Sequence, residues 1–257
     1  MAYKKLKYWF DKGLVTQLAE KLSSNNSAFN KTVLIHNIES KLDFLELKGR
    51  VELIADQLHN SFEQDYNLGL PQLINILGPE NSNETGMFTE YYWVMPIAKY
   101  VEKYGLNDFE KSMNALEEIT KRNTSEYAIR PYILHHFDKT LKQMVKWSKH
   151  SNFHIRRLAS EGVRPRLPWA KKLDVFIQDP SPITPILENL KDDTSKYVQK
   201  SVANCLNDIL KDNFSAGKQI VESWKQEEMT TERQWIVKHA LRNLIKTRDD
   251  WAIKMIK

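Results

Sequence analysis

Four stretches of this chain restate one another at a spacing near 40 residues, and no other feature limits the fold as tightly. Trp147-SKHSNFHIRRLA lies over Leu190-KDDTSKYVQKSVA at a separation of 43 residues, each an apolar helix end, a polar turn and a new helix with basic residues at the same step. Trp224-KQEEMTTERQWIVKHAL keeps the same order with a turn four residues longer, and Thr120-KRNTSEYAIRPYI resembles it upstream. Self-similarity of this period marks HEAT-like repeats, in which one helix pair cannot bury its apolar face alone and stacks on its neighbours.

Helical periodicity runs through the rest. Leu14, Leu18 and Leu22 step every four residues; Leu42, Leu45 and Leu47 lead into Val51, Leu53, Ile54 and Leu58; Val198, Val202, Cys205, Leu206 and Ile209 form one stripe. Only 8 glycines and no alternating β-branched run leave little support for a sheet. Breaks fall at Ser23–Asn26, Gly78-Pro79, Asn81–Gly86, Gly105–Asp108, Pro165–Pro168, Pro180–Pro185 and Asn213–Gly217. The expected fold is all-α, a HEAT-like (ARM-type) α-solenoid of stacked antiparallel helix pairs spanning 1–257 as one domain. Second helices open with Arg130, Arg156–Arg157, Gln199–Lys200 and Lys238, which stacking would align along a concave basic groove.

Charge is unevenly placed. Residues 1–120 hold 12 Lys/Arg against 17 Asp/Glu, whereas 121–257 hold 26 against 16; within 121–175 the ratio is 13 to 4. A basic half suits a polyanionic partner, although a solvated basic face has the same composition. The lone Cys205 excludes an internal disulfide and a Cys-based metal cluster held by this chain. The N-terminus lacks an apolar core of the secretory type, and no stretch approaches roughly 18 consecutive apolar residues, so a cytoplasmic protein is expected. His135 and His136 have no carboxylate or cysteine cluster at ligand spacing and read as capping or surface residues; no metal and no cofactor is expected. Tyr91, Tyr92 and Trp93, opening a helix before Met95-Pro96-Ile97, read as a packing seam.

Chemistry concentrates after Asn152. On a helical projection Ile155, Leu158, Ala159 and Gly162 fall together, and Arg157 and Glu161 share the opposite side, away from the core. Taken alone, an Arg/Glu pair four residues apart is a surface ion pair of about 0.3–0.5 kcal/mol. The following Val163-Arg164-Pro165-Arg166-Leu167-Pro168-Trp169 is a proline-stiffened segment that sets two arginines and a tryptophan beside the helix end.

NFHIRRLASEGVRPRLPWA resembles the signature of the bacterial DNA alkylation repair glycosylases of the AlkC type, relatives of the AlkD group. The resemblance continues through KRNTSEYAIRPYI (Lys121–Ile133) and SVANCLNDILKD (Ser201–Asp212), and more loosely from Tyr8 to Leu106, including LELKGR and YVEKYGL. It implies a HEAT-like fold that holds duplex DNA and hydrolyses the N-glycosidic bond of cationic alkylated bases such as 3-methyladenine. It points to Glu126, Glu161 and Asp208 as groove carboxylates, with Glu161 or Asp208 activating water and Glu126 an electrostatic partner. Trp169 becomes an aromatic wall near the sugar, and Arg157 a phosphate ligand. Arg130, Arg156, Arg164, Arg166, Lys196, Lys200, Lys238 and Arg242 complete the expected DNA contacts; the chain is expected to act as a monomer without an obligatory protein partner.

Each residue also has a structural reading. Asp208 could join a hydrogen-bonded ladder between repeats near Ser201 and Asn204, Glu126 could pair with Arg130, and Trp169 could lock the Pro165–Pro168 loop from the core. The family pattern is not complete: Gln199-Lys200 stands where relatives often carry paired arginines, Cys205 where a histidine is common, and the immunoglobulin-like C-terminal domain of some relatives is not expected within residues 1–257. Two rivals remain, a catalytically inactive HEAT-repeat protein that binds bent or branched DNA, and a helical scaffold for an acidic protein.

Overall fold

The computed structural model describes residues 4–226 and 228–257, and every regular element among them is helical. The chain forms two compact units, 1–131 and 132–257. No helix among the described residues is long and apolar enough to cross a membrane.

The first unit holds α1 (Lys12–Asn25), α2 (Lys31–Leu42), α3 (Leu47–Ser61), α4 (Tyr66–Asn75), α5 (Met95–Tyr104) and α6 (Phe109–Thr120). Side chains of Asp11, Asn30 and Asp65 cap α1, α2 and α4 by accepting backbone N–H groups that no helical carbonyl can reach. Leu14, Leu18 and Leu22 are all buried, in a core with Leu34, Ile38, Ile54, Leu58 and Tyr100. Tyr92 meets Trp9 and Phe10 edge-on and Trp93 is buried, so this aromatic run is a packing seam. The leucines from 42 to 47 do not continue one helix: α2 stops at Leu42, Phe44 stands 88% exposed, and α3 starts at Leu47. Buried Arg50 supports this turn, donating from Nε to the Leu45 carbonyl (2.9 Å) and from Nη1 to that of Phe10 (3.2 Å).

Across the boundary runs α7 (Ile129–His135), and the second unit continues with α8 (Phe137–Trp147), α9 (Phe153–Glu161), α10 (Asp174–Gln178), α11 (Thr184–Leu190), α12 (Lys196–Asp212), α13 (Phe214–Gln226), α14 (Thr231–Ala240), α15 (Arg242–Lys246) and α16 (Asp250–Met255). The repeats read from sequence are the pairs α8/α9, α11/α12 and α13/α14. Their first helices end at or near buried Trp147, Leu190 and Trp224. Their second helices are capped by Asn152, Ser195 and Thr230, which accept from the N–H groups of His154, Val198 and Arg233. Central α12 packs on α9, α11, α13 and α14.

The break expected over Asn213–Gly217 is a single residue, because α13 begins at Phe214. Gly217 serves packing instead. A Cβ there would lie 2.8 Å from the Leu210 side chain and 3.0 Å from its Cα, and that backbone atom cannot move aside. Gly217→Ala gains about 1 kcal/mol of helix propensity but overpacks the α12–α13 contact, at a cost of about 1–3 kcal/mol. The packing cost is expected to win and lower Tm by about 2–4 °C per net kcal/mol; a calorimetric scan showing a stabilised variant would contradict this.

Candidate active site

In the second unit, α9 and α12 bring together three charged groups from three separate stretches. Asn152 starts α9, Glu161 is its last residue, and the chain leaves the helix at Gly162. Two residues later the side chain of Arg164 turns back. Its Nη1 donates to Glu161 Oε1 at 2.7 Å, while Nε and Nη2 donate to Asp208 Oδ2 and Oδ1 at 2.9 and 3.4 Å. Arg164, Glu161 and Asp208 are all buried, at 7%, 5% and 8% exposure. Ser201 on α12 hydrogen-bonds Glu161 and also meets Ser160 at 2.7 Å, which fixes the two helices at this level.

The two carboxylates differ. Burial works against charge on Glu161, but Arg157 and Arg164, with hydrogen bonds from Ser201 and Arg164, hold its pKa below the ordinary value near 4.5. At Asp208 burial prevails over the Arg164 hydrogen bond and charge and the Arg166 backbone N–H, with Glu161 adding repulsion, so its pKa stands above the ordinary 3.8. Burial also opposes charge on Arg164, yet its two carboxylate partners raise its pKa further.

Arg157 and Glu161 were expected to face away from the core on the free side of α9. Glu161 is instead buried, since α12 of the next repeat covers that side. Arg157 Nη2 lies 3.8 Å from Glu161 Oε1, with its guanidinium 4.6 Å from the Tyr197 ring centroid. A single-helix projection shows one buried face; a helix inside a stack has two.

The segment after α9 is anchored at several points. Leu167 and Leu173 are buried, the Leu173 N–H donates to the Pro165 carbonyl at 3.1 Å, and Arg166 grips Asp212 with two bonds of 2.6 Å. At its tip Trp169 is 57% exposed with φ of +64°. It is therefore no core residue, and an aromatic side chain in the left-handed region costs about 1–3 kcal/mol that the surrounding anchors must offset.

Six of the basic residues named from sequence fall into two groups. Arg156 is bound by Asp193 at 2.6 and 3.1 Å and by the His150 and Ser151 carbonyls, while Arg164 and Arg166 are held by the carboxylates just described. These three guanidiniums tie one part of the unit to another. By contrast Lys200 and Lys238 are exposed and Arg242 half-buried, and among the described residues none of these three has a carboxylate within ion-pair distance. Arg242 donates to Asn204 Oδ1 and the His239 carbonyl at 3.1 and 2.7 Å. Gln199, one of the departures, is buried and donates to the Asp193 carbonyl (2.8 Å), and Cys205 is buried in α12.

Glu126 and Arg130 lie in the first unit, both buried. Thr124 Oγ1 donates to Glu126 Oε2 at 3.0 Å. His135 is exposed at the end of α7.

The family model for the DNA alkylation repair enzyme matches residues 98–244, which include α9, the Trp169 loop and α12. The chain belongs to the DNA alkylation repair enzyme family. The Bacillus subtilis protein YhaZ is 37% identical to it over 252 residues, 97% of this chain and 67% of YhaZ. A solved structure of the Pseudomonas fluorescens alkylpurine DNA glycosylase AlkC, bound to DNA containing an abasic site analog, matches with a TM-score of 0.90 at 35% identity, over 99% of this chain and 69% of that one. The all-helical repeat fold read from the 40-residue period is the fold of that relative.

Sequence reasoning grouped Glu161 and Asp208 but missed that Arg164 joins them. A signal was available. Arg156–Asp193, Arg164–Asp208, Arg166–Asp212 and Arg233–Asp192 are separated by 37, 44, 46 and 41 residues, all close to the repeat length. Replacing Arg164 by leucine leaves two carboxylates buried without their main partner, and R164L is expected to lose about 3–5 kcal/mol in urea unfolding. A triple E161L/R164L/D208L variant should recover most of that loss; equal instability of both would show that the ion cluster is not the cause.

Proposed function

We propose that this chain is an alkylpurine DNA glycosylase, which hydrolyses the N-glycosidic bond of cationic alkylated bases, such as 3-methyladenine, in duplex DNA and so begins base excision repair. The observation that carries the reading is a pair of buried carboxylates, Glu161 and Asp208, gripped by one arginine in a chain that matches a DNA-bound enzyme of this class over nearly its whole length. In the reading the chain works as a monomer associated with the nucleoid.

A base alkylated at a ring nitrogen already carries positive charge, so it needs no proton to leave. The C–N bond breaks, its electron pair departs with the base, and the positive charge passes to the deoxyribose. What the protein must supply is negative charge near the sugar and a base for the incoming water. Glu161, held ionised by Arg157 and Arg164, suits the first task. Asp208, with its pKa raised, is the stronger proton acceptor and suits the second: water adds to the sugar carbon and its proton passes to Asp208, leaving an abasic site and the free base. Exposed Trp169 presents an aromatic face to the same developing cation. Glu126 is retained as the electrostatic partner. Arg130, Arg157, Lys200, Lys238 and Arg242 are assigned to phosphate, and Arg156, Arg164 and Arg166 to holding the scaffold that positions the site.

Incubation with methylated duplex DNA is expected to release free 3-methyladenine, and D208N, E161Q or E126Q to slow release by at least about 10²-fold. No release by the wild type would overturn the reading. Because Asp208 acts ionised, single-turnover rates should fall as pH drops through its raised pKa, above 3.8; the residual rate of D208N should lack that limb, whereas E161Q should keep it. A limb that survives in D208N would move the base role to another group.

A further inference from the structure

Along α12 and α14 lies a cluster of cations and aromatic rings in which Lys196, Trp235 and His239 have no part in the chemistry above. Lys196 Nζ sits 3.5 Å from the centroid of the Trp235 ring and donates to Gln199 Oε1 at 3.0 Å. Behind it the Trp235 ring stacks on His239 with centroids 4.8 Å apart and planes inclined by 9°. One repeat earlier, the Arg157 guanidinium lies over Tyr197 in the same manner at 4.6 Å. In both cases a cation from one repeat rests on an aromatic ring of the next.

The cluster is continuous with the candidate active site. Lys196, Lys200, Asn204 and Asp208 follow one another every four residues along α12, a ridge of neighbouring side chains. At 1.5 Å per residue it rises about 18 Å from Lys196 to Asp208. Alongside it, α14 and the start of α15 supply Trp235, His239 and Arg242. Burial lowers the His239 pKa from its ordinary value, and Arg242, Lys200 and Lys196 lower it further, so these cations converge on the ring, which stays neutral against the indole. Arg242 in turn feels the charges of both Arg164 and Asp208.

Like charges gathered without carboxylates raise the free energy of the empty protein. Neither Lys196 nor Lys200 has a carboxylate partner among the described residues, in a unit where Arg156, Arg164, Arg166 and Arg233 each have one. An indole under Lys196 removes the flexibility that lets a surface lysine avoid its neighbours, fixing the ammonium in advance. The ligand that relieves such an array is a row of anions at short intervals.

We propose that Lys196, Lys200 and Arg242, set on the Trp235–His239 platform, form a track that binds successive phosphates of one DNA strand and leads it towards Asp208, with Trp235 as the positioning residue that holds Lys196 in register. This rests on the glycosylase reading for its partner, but it is tested without catalysis. Binding of a fluorescein-labelled, undamaged random-sequence duplex is followed by anisotropy across a salt series. K196A is expected to weaken binding several-fold and reduce the slope of log K against log salt by about one unit, the loss of one phosphate contact; K200A should do the same. W235L should lose nearly as much as K196A, W235F should retain most of the wild-type affinity, and K196A/W235L should bind no more weakly than K196A alone. Wild-type slopes in K196A and K200A, or fully additive losses in the double variant with circular dichroism melts intact, would overturn the track. A protein that excises methylated bases yet shows those wild-type slopes refutes the track and keeps the enzyme. One that binds with the expected slopes and releases no base refutes the enzyme and keeps the track.

Discussion

The grip of Arg164 on Glu161 and Asp208 is the interaction on which the rest of the second unit depends. It is made between α9 and α12, where an apolar pair would serve stability as well or better. Replacing a buried ion cluster by well-packed hydrophobic groups is commonly neutral or favourable by about 1–4 kcal/mol, whereas removing one member costs about 3–5 kcal/mol. Selection for stability alone would not keep three ionised groups here. Once they are present, however, Ser201 and the Arg166 backbone N–H are committed to satisfying them, Ser160 on α9 meets Ser201, and the helix register follows.

The same pairing of a guanidinium with a carboxylate one repeat away recurs along the stack. Arg156 reaches Asp193 in the turn before α12, Arg233 reaches Asp192 in that same turn, and Arg166 reaches Asp212 at the far end of α12. Each uses planar, two-pronged geometry that a lysine could not reproduce. Lysines such as Lys200 and Lys238 are left for the surface of α12 and α14, where a compact charge on a four-carbon stem suits contact with a polyanion. The division of labour between the two cations is thus set by their shapes.

Much of this fold was legible in the chain. The repeat period located three helix pairs, and Asn152, the turn around Asp193–Ser195 and Thr230 lay where the second helices begin, because capping is local chemistry. What could not be read was anything that a neighbouring repeat decides. Glu161 looked exposed until α12 covered it, Arg164 and Arg156 looked like phosphate ligands until Asp208 and Asp193 bound them, and Gly217 looked like a break although it permits a close approach to Leu210. The leucines from 42 to 47 misled for a related reason: helical spacing persisted across a turn that buried Arg50 stabilises by also bonding the Phe10 carbonyl, 40 residues away. The candidate site was legible as residue types on three segments, through the family resemblance, and not as geometry.

Carboxylates in a protein that must hold DNA pose an electrostatic problem, since they repel the phosphates that supply most of its affinity. The arrangement around α9 meets it by neutralising the cluster as a whole: Arg157 and Arg164 balance Glu161 and Asp208, so at the distance of a phosphate their fields largely cancel. In the proposed reaction the sugar lies against the carboxylates themselves, where the cancellation is incomplete. Screening by pairing therefore removes the long-range repulsion and keeps the short-range attraction for a cation. In the proposed reaction, a sugar that becomes positive only as its bond to the base breaks is a target of that kind, and Trp169, exposed on the loop in a strained conformation, is the second face proposed for it.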